Sequence, residues 1–240
     1  MSVGQPAEIG EAPWSLPARE TLHYTIEWRL ITAGKADFDW KAAEQPDPGW
    51  RVNVNVQSVG LVSKLFKVGD IYHSELGQAL CAESTQMVSR EGSRQRETHV
   101  NFNYETHKAG YLERDRVKDK VISQKEIDIP SCVHDVAGGL YYLRTLQLKP
   151  GESTEVPVSD GKKSAMAKVE AQQRETVKTQ AGTFSTVRYE IYLFNNVLFR
   201  RSAHLYVWLT DDRRRLPVQI RVRMQFVVGT ITLQLAKLDD

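Results

Sequence analysis

HLYVWLTDDRRRLPVQIRVRMQFVVGTITLQLAKL, running from His204 to Leu238, is the stretch that decides the fold. Val218, Ile220, Val222 and Met224 alternate with Gln219, Arg221 and Arg223, the period of a strand with one buried and one wet face. Leu205, Val207 and Leu209 alternate instead with Tyr206 and Trp208, so the preceding strand needs cover on both faces. Between them Thr210-Asp211-Asp212-Arg213 supplies short polar side chains that bond to their own backbone in tight turns. An antiparallel meander follows.

The same alternation extends through most of the chain. Leu22, Tyr24, Ile26, Trp28 and Leu30 form one strand face. Ala33-Gly34 reads as a turn, and Ala36, Phe38 and Trp40 return. Val52, Val54 and Val56 follow a loop at 45–49, and residues 61–66 have apolar spacing suited to one helical turn or a strand corner. More polar strands are expected over 81–90, 94–103, 109–117 and 120–127. Others follow over 153–159, 163–171, 174–179 and 183–194, with Asn195-Asn196 as a further turn. Residues 134–147 alone read as a substantial helix: Asp135 can cap it, and Val136, Leu140, Leu143 and Leu146 make a stripe. Gly138 and Gly139 inside it each cost about 1 kcal/mol relative to alanine, which a close approach to the sheet or a ligand would offset. The expected fold is mainly β: a single large antiparallel sheet curled into an incomplete barrel or sandwich, with one helix packed against it. Residues 1–20, with three prolines, read as an extended leader and 21–240 as one β-rich domain.

A 240-residue chain with 41% hydrophobic and 26% charged residues has the balance of a folded globular protein. Its 32 Lys and Arg against 30 Asp and Glu give no global field to recruit nucleic acid, and no apolar run is long enough to span a bilayer. Cys81 and Cys132 fit either one disulfide or two buried thiols. No Walker loop, dinucleotide fingerprint, nucleophile elbow or tight histidine spacing occurs, so no cofactor and no local metal motif is expected. His99, His134 and Asp135 could still be brought to a metal from separate elements, which leaves no short motif. Asp211 and Asp212, adjacent and diverging, suit a salt-bridged turn better than a catalytic pair.

Three pieces carry a family resemblance. They are the opening hairpin with Tyr24 and Ala33-Gly34, the segment Asp135 to Arg144 ending Tyr141-Tyr142-Leu143-Arg144, and Val207 to Asp212 followed by Arg213 to Val218. In these the chain resembles the bacterial exported proteins grouped as domain-of-unknown-function family 3108. The resemblance implies a β-rich fold and a periplasmic or otherwise exported, cell-envelope location, and it implies no reaction. The family often has serine where this chain has Gly138 or Gly139, so no hydroxyl role carries over there.

Arg144, Tyr141 and Tyr142 share the helix and could offer a guanidinium and two phenols to a ligand head group, with Trp208 among the aromatics lining a cavity beneath. The competing reading has Arg144 serving the helix C-terminus and the tyrosines packing on the sheet. The function expected is non-enzymatic: an envelope protein holding a lipid-like or glycan ligand, a small amphipathic molecule, between sheet and helix. The alternatives are an interaction module for another envelope protein, or a hydrolase whose site is assembled from distant residues.

Overall fold

The structure is a computed structural model and describes residues 16–29, 31–43, 48–224 and 229–239. The leader's first 15 residues, with Trp14, and part of the loop at 45–49 lie outside the described residues.

Among the described residues fourteen strands form one antiparallel sheet. In chain order they are β1 (Arg19–Trp28), β2 (Ile31–Ala42), β3 (Gly49–Ser58), β4 (Gly69–Gly77), β5 (Ala82–Glu91), β6 (Arg94–Asn103), β7 (Lys108–Asp115) and β8 (Lys120–Asp128), then β9 (Ser153–Ser159), β10 (Ser164–Thr179), β11 (Gly182–Ile191), β12 (Ala203–Thr210), β13 (Pro217–Met224) and β14 (Thr230–Asp239). Helix α1 (Gly60–Leu65) joins β3 to β4, and α2 (Val136–Thr145) follows β8. The chain meanders outward from β1 to β8, crosses through α2, and meanders back from β9 until β14 pairs with β1. The first and last strands thus pair mid-sheet, while both sheet edges, β8 and β9, flank the helix in sequence.

The sheet is not closed by strand pairing, but side chains and one short segment draw its edges together. Val133 accepts a hydrogen bond from the Ala82 amide at 2.8 Å, and His134 forms an isolated parallel bridge with Val158 of β9. Cys81 and Cys132 are joined in a disulfide. The crossover is therefore covalently tied to the start of β5 and hydrogen-bonded to β9. Further along, Lys162 after β9 donates to Glu113 of β7 at 3.1 Å. Edge strand β8 is mostly exposed and carries Lys120, Lys125, Glu126 and Asp128, charges that discourage pairing with another chain.

Alternation decides these elements where it is clean. Leu22 and Tyr24 are buried as their spacing requires, and the phenol of Tyr24 donates to the Pro217 carbonyl at 2.6 Å. In β12, Val207 and Leu209 enter one apolar cluster and Trp208 another, so that strand is covered on both faces. Two local expectations are corrected. Ala33-Gly34 is not a turn: both lie within β2, Trp28 pairs with Ile31, and Arg29 supplies the left-handed conformation at φ 49°. Gly34 is required for a different reason, since a Cβ there would stand 2.6 Å from the Gln57 carbonyl oxygen. Residues 164–179 form one strand, not two; its irregularity between Ala171 and Gln173 absorbs the polar break in the pattern.

Glu113 is the charged centre of the contact between the two halves. It is 7% exposed and accepts from Arg96 at 2.5 Å, Tyr111 at 2.9 Å and Lys162 at 3.1 Å. Burial pushes its carboxyl upward, but these donors outweigh it and hold the pKa at about 2, below its ordinary 4.5. A depressed folded-state pKa means the unfolded chain takes up its proton first. The stabilisation is present above about pH 4.5 and is lost as pH falls towards 2, on the order of 3 kcal/mol for this group. Glu113→Gln is expected to flatten that part of the acid-stability curve, as measured by urea midpoints between pH 5 and 2.

Candidate functional site

Helix α2 sits between two apolar clusters and presents a different face to each. Asp135 caps it, accepting from the Gly138 amide at 2.5 Å, and also accepts from Tyr72 at 2.9 Å and from Ser74. Burial raises the carboxyl's pKa, while these donors oppose the shift. Ala137 and Tyr141 face the β2–β7 half, where Tyr141 stacks on Trp40 with ring centroids 4.0 Å apart. Leu140, Tyr142, Leu143 and Leu146 face β9–β13.

Against this second face the side chains do not meet. They leave an apolar cavity of about 280 Å³ between α2, the inner face of β9–β14 and the connection 192–202. Val158, Val169, Val207 and Ile220 contribute sheet walls, and Leu140 and Tyr142 the helical wall. Val136, 58% exposed, lines it too and marks where it meets solvent. The connection folds inward because Asn195 and Asn196 both adopt the left-handed conformation. Amides of Leu198 and Phe199 then bond to the Leu193 carbonyl at 2.9 and 2.8 Å. Lys163 holds this reversal by donating to the Asn196 and Val197 carbonyls. Phe194, Leu198 and Phe199 consequently become cavity wall.

Two polar groups at the wall have partners outside the cavity. Asp135 is committed to the cap, and His134 donates from Nδ1 to the Leu80 carbonyl at 2.8 Å while its ring stacks on Tyr142 at 4.0 Å. Burial holds the imidazole below its ordinary pKa of 6.5, which keeps it neutral at physiological pH. His99 lies apart, paired with Glu97. Among the described residues no three His, Cys, Asp or Glu side chains come together as a metal site.

Of the four residues singled out by sequence, the structure brings Tyr142 alone to the cavity. The expectation that Tyr141 and Arg144 would be presented from the helix surface is corrected, because both are buried on other sides of it. Arg144, 1% exposed, pairs with buried Glu20 of β1 and donates to the Arg214 carbonyl at 3.0 Å. Its neighbour in the arginine run, Arg215, serves the helix C-terminus in its stead, donating to the carbonyls of Arg144 and Leu146 at 2.7 and 2.6 Å. Trp208 lies in a separate cluster, donating from Nε1 to Glu175 at 2.8 Å with Arg221 over its ring. Asp211 pairs with Arg174 at 2.7 Å and Asp212 accepts from the Arg214 amide, which makes this a structural turn. The inward 193–199 segment was missed by sequence reasoning. Its signal is FNNVLF, large apolar residues on both sides of an Asn-Asn turn.

The glycines of α2 separate into two roles. A Cβ on Gly138 would lie 2.8 Å from Leu76 Cδ2 and 2.9 Å from the capping oxygen of Asp135. One on Gly139 would meet nothing nearer than His134 Cβ at 3.9 Å, and Gly139 lines the cavity. Gly138→Ala is expected to destabilise by about 1 to 3 kcal/mol through overpacking, reversing the gain of about 1 kcal/mol that helix propensity alone predicts. A urea midpoint at or above that of the wild type would contradict the close approach.

A curled, open antiparallel sheet holding an apolar cavity under a single capped helix is the class that fold and site define. The chain belongs to the family described as Protein of unknown function (DUF3108), which matches residues 23–236. No curated protein matches it. Among solved structures it is similar to a β-barrel-like protein of the DUF1849 family from Brucella abortus, with a TM-score of 0.60 and 9% identity over 94% of this chain and 98% of that one. It also matches a Bacteroides fragilis protein with a YmcC-like fold, at a TM-score of 0.40 and 10% identity over 95% and 100% of the two chains. The first of these supports the fold alone. No described helix is long and apolar enough to cross a membrane.

Proposed function

We propose that this is an exported, non-enzymatic protein that holds one apolar chain of a lipid-like ligand in the cavity beneath α2. The observation that carries the reading is the cavity's wall, built almost wholly from aliphatic and aromatic side chains of α2, β9–β14 and the 192–202 connection. Pockets for small molecules are apolar concavities with few polar groups. A volume of about 280 Å³ equals roughly nine groups of water or methylene size at about 30 Å³ each. That suits a single medium-length acyl chain and is too small for a two-chain lipid.

The wall favours a lipid-like ligand over a glycan, because a glycan needs many uncommitted donors and acceptors, whereas polar groups here are few and Asp135 and the Nδ1 of His134 are engaged. Asp135 uses its oxygens for the cap, Tyr72 and Ser74 and none for His134, which favours binding over hydrolysis. Tyr142, partly buried at the wall, is the ligand-contacting residue retained from the helix; Tyr141 and Arg144 hold that helix in place from its other sides. Export is supported by the disulfide between Cys81 and Cys132, a linkage that persists in oxidising compartments. The test is titration with a fluorescent fatty acid whose emission rises in an apolar site. Saturable binding at one site per chain, displaced by medium-chain fatty acids and not by oligosaccharides, is expected. No saturable signal, or displacement by oligosaccharides, would overturn the reading.

A further inference from the structure

A second surface shares no lining residue with the cavity. In an antiparallel meander, alternate connections share one end of the sheet, here, in the β1–β8 half, those after β1, β3, β5 and β7. All but two of the ten exposed large apolar side chains among the described residues lie at or next to these connections, the exceptions being Val136 and Met166. Helix α1 is the extreme case. It buries no residue and has no side-chain cap, yet Leu61 is 66% exposed and Leu65 78%, with Phe66 just beyond it at 53%. A six-residue helix is marginal in water, and one that served only to turn the chain would have no use for exposed leucines. Its base is fixed, since the Ser58 hydroxyl accepts from the Val68 amide at 2.9 Å and the Val59 amide donates to Ala33 at 2.9 Å. The apolar side chains are therefore held outward.

The charge at this end is biased as well. Segments 29–31, 58–70, 90–94 and 115–120 carry eight Lys or Arg against four Asp or Glu, a surplus of four where the whole chain has a net charge of +2. Lys64 and Lys67 flank Leu65 and Phe66 directly and are exposed.

We propose that this end of the sheet docks onto an anionic bilayer surface, with Leu61, Leu65 and Phe66 entering the interface and the surrounding lysines and arginines meeting lipid phosphates. Apolar residues beside basic ones are the pattern of interfacial membrane binding. A protein partner fits less well, because lysine is depleted at protein interfaces and here it borders the apolar tips. A second copy would bring the same positive surplus against itself across a two-fold axis. The inference does not depend on the cavity holding a ligand.

The test is co-sedimentation of the whole chain with vesicles of mixed phosphatidylglycerol and phosphatidylcholine, compared with phosphatidylcholine alone. Binding to the mixed vesicles, released by high salt, is expected. Lys64→Glu/Lys67→Glu should weaken it by about fivefold or more per lysine, and Leu65→Ser/Phe66→Ser should also weaken it, both with unchanged unfolding midpoints because these side chains are exposed. The proposal is overturned if the wild type stays in the supernatant, if it binds neutral vesicles equally well, or if either variant binds as the wild type does. It is also overturned if the wild type forms a vesicle-independent dimer that these substitutions dissolve.

Discussion

Arg144→Ala is expected to lower stability by about 3 to 5 kcal/mol, the range for removing one partner of a buried ion pair. Arg144 and Glu20 are 1% and 2% exposed, so truncating the arginine leaves a carboxylate with neither its partner nor water. The loss is architectural as well as electrostatic. Glu20 lies at the start of β1 by the mid-sheet seam and Arg144 lies in the last turn of α2, so the pair joins the helix to the strand that pairs with β14. The double variant Glu20→Leu/Arg144→Met separates the two effects. If the cost comes from a stranded charge, it recovers most of the stability; urea midpoints for the three proteins decide. A single variant within about 1 kcal/mol of wild type would mean the pair is hydrated and belongs with surface bridges.

Trp208→Ala follows with a similar magnitude, about 3 to 5 kcal/mol for a buried aromatic. The indole is 3% exposed, packs with Leu22, Tyr24, Val218 and Leu235, and satisfies its N–H on Glu175. Because Trp208 itself does not line the cavity, the variant should lose stability while the remaining folded fraction binds an apolar probe with unchanged affinity. An unfolding midpoint unmoved in urea would show that the ring contributes no packing.

The strands were legible because one buried and one wet face impose period two, and β9 coincides with its expected bounds of 153–159. The helix was legible through Asp135, whose cap is local. Legibility failed wherever the deciding partner is remote. Arg144 reads as a solvent-facing cation until Glu20 appears 124 residues away, and nothing in the spacing announces that pair. Gly34 reads as turn glycine because its true reason is the carbonyl of Gln57 on the next strand. The cysteines could not be paired from composition, since the crossover that brings Cys132 to Cys81 is set by the tertiary path. The cavity was the hardest to foresee. Val158, Val169 and Val207 alternate just as core residues do, and a wall differs from a core only by what fails to fill the space in front of it.

Gly139→Leu tests the central claim most directly. The position lies within α2, a Cβ there has room, and a leucine side chain built on it reaches the cavity that Gly139 lines. Leucine also improves helix propensity by up to about 1 kcal/mol, so loss of the fold is not the expected outcome. Urea unfolding and fluorescent fatty-acid titration on the same preparation should give a midpoint at or above that of the wild type together with loss of saturable binding. A variant that is equally stable and binds the probe with wild-type affinity would place the ligand elsewhere and contradict the account.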